Sequence, residues 1–200
     1  MSTQNIKLET KYRKKSYLDY IIIMIQKQNF ILPKFMIPLF RTNHAGETGA
    51  VFIYKGILLV SRDKDIVDFS KKHLLTESKH LQLIESILDK KDRSKLTFLW
   101  KLAGFLTGLI PALLSKRFVY ATIFYVESFV ERHYQDQIDL LNNNKKFKNL
   151  SSFIKNLQDD EVDHKDEAFI KTDEIKFIHS LWGFIVSKGS ALAVNLSRLI

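Results

Sequence analysis

The 200-residue chain contains no cysteine. That excludes disulfides, thiolate zinc sites, iron–sulfur clusters and cysteine nucleophiles. Any metal must then be held by histidine and carboxylate, a ligand set that suits iron or manganese better than structural zinc. Glycine and proline are scarce, at seven and three residues, so few elements are interrupted and long helices are favoured over many short strands. A secretory signal is not evident: the apolar run at residues 21–25 follows a basic stretch but is too short to span a bilayer, and no small-residue cleavage site follows it. A convincing organelle transit peptide is also lacking, which favours a bacterial setting over a mitochondrial one.

What is present is enough for one domain with a substantial core. Hydrophobic residues make up 46% of the chain, and 31 Lys and Arg against 22 Asp and Glu leave a net charge of +9. Such a surface favours an anionic neighbour, either lipid headgroups or nucleic acid. Residues 1–40 read as a basic N-terminal extension ending near Pro33 and Pro38. Helical patterns then cover about 42–59, 63–88, 116–141 and 147–171. Residues 95–115 form an apolar segment between the second and third helices, and an apolar tail covers 178–200. A ferritin-like four-helix bundle needs one long crossover at that point in the chain. The expected architecture is therefore all-α: a ferritin-like bundle over 41–200, with an apolar crossover helix and an apolar C-terminal helix.

Two Glu-x-x-His motifs carry the chemistry, Glu77–His80 and Glu161–His164. Residues three apart lie on one helical face, so a carboxylate and an imidazole reach the same ion. With nine Glu and six His in 200 residues, chance supplies roughly a quarter of one such motif. Glu47 and Glu127 lie on the helices preceding each motif. The chain thus reads as two halves, each a single-Glu helix followed by a Glu-x-x-His helix, which is the ligand rule of di-iron carboxylate bundles. Four carboxylates and two neutral imidazoles would balance two divalent ions, whereas four unpaired buried carboxylates would be very costly. Glu47, Glu77, His80, Glu127, Glu161 and His164 are the expected ligands of two iron ions. Glu131 is expected outside this set, His73 as a packed or surface histidine, and Asp159 or Asp163 as a partner for a ligand imidazole or as solvated groups. His44 and His179 carry no spacing evidence.

The string Arg41-Thr42-Asn43-His44-Ala45-Gly46-Glu47-Thr48-Gly49-Ala50, followed by Ile53-Tyr54-Lys55-Gly56, resembles the first helix of demethoxyubiquinone hydroxylases, enzymes of ubiquinone biosynthesis. Tyr125-Val126-Glu127 with His133, Tyr134 and Gln137 is similar to the third helix of that family, and Asp160-Glu161-Val162-Asp163-His164 to the fourth. Leu99-Trp100-Lys101-Leu102-Ala103-Gly104-Phe105 is similar to its apolar insert. Thr48 and Gln135 depart from the family pattern, where Tyr and Asn are usual. The tail also lacks the acidic residue that often precedes the terminal Arg, so Arg198 is given no role. The resemblance implies a di-iron monooxygenase that hydroxylates the ring of a demethoxy-quinol with dioxygen. It also implies a tyrosine close to the iron at Tyr134, which would help pass electrons or protons.

The alternatives are a di-iron tRNA hydroxylase and a non-enzymatic iron-binding bundle. The first would need a continuous basic groove at the mouth of the site, where this chain has two apolar segments, so no nucleic-acid partner is expected. The second would assemble as a soluble shell, which exposed apolar stretches oppose. In the crossover, Thr97, Lys101, Gly104, Gly108, Pro111 and Ser115 form a helical stripe of small or polar residues, with Phe98, Leu99, Trp100, Leu102, Phe105 and Leu106 among the apolar remainder. Lys101 and Pro111 make a spanning helix unattractive. The expected arrangement is monotopic: stripe toward the bundle or the tail, apolar face in lipid, at the cytoplasmic side of a cell membrane or the matrix side of a mitochondrial inner membrane. A homo-oligomer or a biosynthetic complex is left open.

Overall fold

A computed structural model describes residues 32–200; most of the basic extension lies outside the described residues. Six α-helices follow one another: α1 (Ile37–Val60), α2 (Lys64–Ile87), α3 (Thr97–Leu114), α4 (Lys116–Asn142), α5 (Lys148–Thr172) and α6 (Phe177–Leu199). No strand occurs among the described residues. Five of the six match the expected spans to within about two residues. The exception is the start of α1, five residues before Thr42. Pro38 lies in the first turn of this helix, where a missing N–H costs nothing, so the proline opens the helix rather than closing the extension. Met36 and Phe40 are fully buried in the core.

Side-chain caps define several boundaries. The Asp63 carboxylate accepts from the N–H groups of Asp65 and Ile66 at 2.9 and 3.1 Å and starts α2. Ser115 closes α3, and its hydroxyl accepts from Phe118 N–H at 3.2 Å to open α4. Asp173, at φ 65° and ψ −62°, ends α5. Glu174 N–H reaches Thr172 O at 2.8 Å across it, a tight three-residue turn with little steric freedom.

Helices α1, α2, α4 and α5 enclose two apolar clusters. One holds Phe40, Leu83, Ile84, Ile138, Leu150 and Ile154 with their neighbours. The other holds Ile53, Ile57, Ile66, Phe69, Val119, Ile123 and Ala168. Each of the four helices contributes to both, and between the two contributions each places acidic or imidazole side chains. The bundle is therefore two hydrophobic plugs with one polar layer between them, an arrangement that fits the ferritin-like expectation.

Helix α3 lies along α1, and α6 lies across α1 and α4; α3 and α6 make little contact with each other. The α1–α3 approach is backbone to backbone. A Cβ on Gly104 would meet Gly49 O at 2.3 Å, and one on Gly56 would meet Phe105 O at 2.2 Å. Only glycine permits this spacing. Within the expected stripe Gly104, Gly108 and Pro111 are buried, Thr97 is half-buried, and Lys101 and Ser115 are exposed. Trp100 differs from expectation: it is buried rather than on the outer face, because its indole N–H finds Ser94 Oγ at 2.9 Å. The outer face keeps Phe98 at 79% and Leu113 at 66% exposure, and α6 keeps Phe177 at 82%. Both helices are long and apolar enough to cross a membrane, and little of either is buried.

Candidate metal centre and its cavity

The polar layer is built from Glu47 of α1, Glu77 and His80 of α2, Glu127 of α4, and Glu161 and His164 of α5. All six expected residues are buried and lie together. They fall into two groups of four whose ligand-type atoms approach within 4.8 Å: Glu47, Glu77, His80 and Glu161 in one, Glu77, Glu127, Glu161 and His164 in the other. Glu77 and Glu161 belong to both. The carboxylate of each Glu-x-x-His motif thus stands between the groups, while each single Glu serves one group. His80 Nδ1 lies 2.9 Å from Glu161 Oε1, and His164 Nδ1 lies 2.8 Å from Glu77 Oε1. Each imidazole therefore approaches the motif carboxylate of the opposite helix.

The donor set suits a cation. Glu47 Oε2, Glu77 Oε1, Glu161 Oε2 and His164 Nδ1 are buried without an aligned hydrogen bond, even though His164 Nδ1 approaches Glu77 Oε1 to 2.8 Å and Glu161 Oε2 to 3.2 Å. Orphaned lone pairs of this kind are expensive unless something positive meets them. Burial drives the Glu47 and Glu127 carboxyls well above their usual range, and the neighbouring carboxylates add to the effect. Burial alone would lower His80, but Glu161, Asp160 and Glu47 reverse the balance and raise it; Glu161 and Glu77 do the same for His164. Burial would also raise Glu161, yet the two imidazoles hold it below its usual range. The cluster stabilises positive charge in its midst, whether carried by a proton or by a metal ion.

The neighbours divide clearly. Asp160, rather than Asp159 or Asp163, meets the other nitrogen of His80, at 3.2 Å; Asp159 pairs with Lys155 at 2.8 Å. Asp160 directly precedes Glu161 on a packed helix, and a single residue of rotation brings its carboxylate to the imidazole. Glu131 turns away from the cluster to Lys165 at 2.7 Å. His73 is fully packed: its ring meets that of His164 with centroids 4.1 Å apart, and its Nε2 faces Glu167 at 3.1 Å. Burial holds it neutral at about 4. His44 pairs with Glu85 at 3.2 Å, and His179 Nδ1 accepts from Lys176 N–H at 3.0 Å at the start of α6.

Two tyrosines bracket the layer. Tyr134 donates its hydroxyl to Glu47 Oε1. Tyr54, not singled out from the sequence, donates to Glu127 Oε1 at 3.5 Å. The signal was there, since Tyr54 follows Glu47 by the seven residues that separate Tyr134 from Glu127.

A cavity of about 450 Å³ opens onto the layer. Glu47, Glu77, Glu127, Glu161 and Tyr134 line its inner end; Leu99, Ala103 and Thr107 of α3 and Ile185, Gly189 and Leu192 of α6 line its outer walls. An apolar slot between α3 and α6 therefore leads to the carboxylates.

The family model described as "Ubiquinone biosynthesis protein COQ7" matches residues 34–197, all four bundle helices and both apolar ones. The chain belongs to this family. A COQ7 relative from Dictyostelium discoideum, named NADPH-dependent 3-demethoxyubiquinone 3-hydroxylase, mitochondrial, is 32% identical over 171 residues, covering 81% of this chain and 76% of its own length. The Rhodospirillum rubrum relative, named 3-demethoxyubiquinol 3-hydroxylase, is 33% identical over 163 residues and covers 80% of this chain and 76% of its own. The mouse relative bears the same name as that of Dictyostelium, at 30% identity with coverage of 80% and 76%. COQ7 membership does not favour the tRNA-hydroxylase or storage alternatives.

Proposed function

We propose that this chain is a monooxygenase that hydroxylates the ring of a demethoxyubiquinol with dioxygen, using two iron ions held by Glu47, Glu77, His80, Glu127, Glu161 and His164. The observation that carries the proposal is the pair of overlapping four-residue groups sharing Glu77 and Glu161, placed at the inner end of an apolar slot. Four carboxylates and two neutral imidazoles balance two divalent ions, so the loaded layer is uncharged as a whole and tolerates burial.

When bound, ferrous iron supplies the reductive activation of dioxygen that carbon hydroxylation requires. One oxygen atom enters the ring and the other leaves as water, which consumes two further electrons and two protons. The names of the Dictyostelium and mouse relatives make NADPH the first reductant to test. The remaining work falls to the chain itself. Asp160 orients His80 through its second nitrogen, as partners of ligand imidazoles do. Tyr134, at the cavity wall, holds a proton at Glu47 Oε1. The apolar walls exclude water and present the ring to the carboxylate layer.

The exposed apolar faces of α3 and α6 would rest in the membrane interface, with the slot between them open to the bilayer. Basic residues around them would hold the protein to anionic headgroups at about 1 kcal/mol each. On this reading the enzyme would sit peripherally on the cytoplasmic side of a cell membrane, or on the matrix side of a mitochondrial inner membrane. The function is tested with purified protein, ferrous iron, dioxygen and a demethoxyquinol: wild type should retain about two irons per chain and form the hydroxylated quinol. Glu161→Ala should lose both iron and product. Full iron content and turnover in Glu161→Ala would overturn the ligand assignment.

A further inference from the structure

The two tyrosines of the polar layer are related by sequence but placed differently. Glu47 and Tyr54 lie seven residues apart on α1; Glu127 and Tyr134 lie seven residues apart on α4. Two helical turns carry each tyrosine onto the face of its glutamate, and each hydroxyl then crosses to the other helix, Tyr134 to Glu47 and Tyr54 to Glu127. The carboxylates so met, Glu47 by a close hydrogen bond and Glu127 by a long one of 3.5 Å, are the two that belong to a single group each. A carboxylate between two groups is positioned by both, whereas a terminal one depends on an outer partner to fix its rotation.

The surroundings break the symmetry. Tyr134 lines the cavity, and Tyr54 does not. Tyr54 is fully buried and takes no part in the cavity lining. Its ring packs against Phe69 with centroids 6.3 Å apart and stacks on His73 at 5.9 Å, and His73 in turn meets His164. Nothing that enters the slot reaches the Tyr54 hydroxyl, so its influence runs through Glu127 and the packed rings alone.

We infer that Tyr54 is the positioning residue for Glu127 on the closed side of the centre. It fixes the metal group formed by Glu77, Glu127, Glu161 and His164, while Tyr134 is the tyrosine that serves the substrate side. The division of labour is by access: one hydroxyl faces the quinol, and the other is sealed behind the metal layer. The inference rests on the metal-binding reading above.

The test compares Tyr54→Phe and Tyr134→Phe, each of which removes one hydroxyl and no packing volume. Apo protein is titrated with Co²⁺, whose visible spectrum reports ligand geometry, and release to a chelator is timed. A ubiquinone analogue is titrated separately in the apo protein through quenching of Trp100 and Trp182, the only two tryptophans of the chain, both of which line the cavity. Tyr54→Phe is expected to alter the Co²⁺ spectrum and speed release of one Co²⁺ by about tenfold, leaving analogue affinity within about twofold of wild type. Tyr134→Phe is expected to weaken analogue binding. A second arm introduces Tyr54→Phe into Glu127→Gln: if the hydroxyl acts through Glu127, it adds no further loss of Co²⁺ there. The inference is overturned by an unchanged Co²⁺ spectrum and release rate in Tyr54→Phe, by an analogue affinity that falls as in Tyr134→Phe, or by additive loss in the double variant. Failure of wild type to bind Co²⁺ would instead remove the metal-binding reading.

Discussion

A Cβ on Gly108 would stand 1.9 Å from the carbonyl oxygen of Ile53, so α3 rests on the backbone of the helix that carries Glu47. Neither atom belongs to a flexible side chain, and relief requires the two helices to separate. Gly108→Ala should therefore destabilise the protein by about 1–3 kcal/mol, despite the better helix propensity of alanine. For a chain of this size each kcal/mol lowers Tm by roughly 2–4 °C. Calorimetry of the variant checks this; an unchanged or raised Tm would mean that the helices can part freely.

Tyr134→Phe should keep the full complement of metal and slow turnover. The hydroxyl donates to Glu47 Oε1, so its removal leaves all four carboxylates and both imidazoles of the layer in place. Iron analysis beside single-turnover kinetics separates the two effects. Loss of iron would make Tyr134 part of what holds the metal, and unchanged turnover would reduce it to a packed core residue.

His133 links stability to pH. Burial lowers it to about 4, with Arg198 adding to the effect and Asp136 opposing it. Thr42 Oγ1 gives its proton to Leu39 O at 2.6 Å and so accepts from His133 Nε2–H at 2.9 Å; either charge state of the ring makes that bond, and burial is what holds it neutral. An unfolded histidine takes up a proton near pH 6.5, whereas the folded one does so only near 4. This contribution is complete above the unfolded value and is lost as pH falls through the interval. Between pH 7 and pH 5 it amounts to about 2 kcal/mol. Urea melts of wild type and His133→Gln should diverge across that range, with wild type the more acid-sensitive; parallel curves would refute the assignment.

Leu106 and Leu113 lie on the outer face of α3, 41% and 66% exposed. Leu106→Glu with Leu113→Glu should leave the fold intact, since neither side chain is in the core, and should reduce flotation with anionic liposomes. A double variant that folds and floats like wild type would take this face away from the membrane.

The bundle and its polar layer were legible because their residues carry spacing. Glu-x-x-His at 77–80 and 161–164 is a local pattern, and Glu47 and Glu127 precede the two motifs at similar distances. Tyr54 was missed although it stands to Glu47 as Tyr134 stands to Glu127: tyrosine on a helix is usually core, and the crossing of the two hydroxyls exists only once α1 and α4 face each other. Asp160 was missed because helix rotation decides which of three nearby aspartates meets His80, and sequence fixes that rotation only to within a residue. Pro38 misplaced the start of α1 because a proline reads alike as the end of a loop and as the first turn of a helix. Trp100, apolar by composition, is buried by a partner six residues earlier in the chain.

The two walls of the slot are built on different terms. Wall α3 is pinned through glycines to peptide groups of α1, and peptide groups cannot swing aside. Wall α6 is held by side chains: Trp182 Nε1 donates to Thr122 Oγ1 at 2.8 Å, and the Tyr125 hydroxyl meets Ser180 Oγ at 3.3 Å. Side-chain hydrogen bonds can exchange for water at little net cost. The slot thus has a jamb and a door. Of the two walls, α6 is therefore held by the more easily exchanged contacts, and α3 by those that tie it to the helix bearing Glu47.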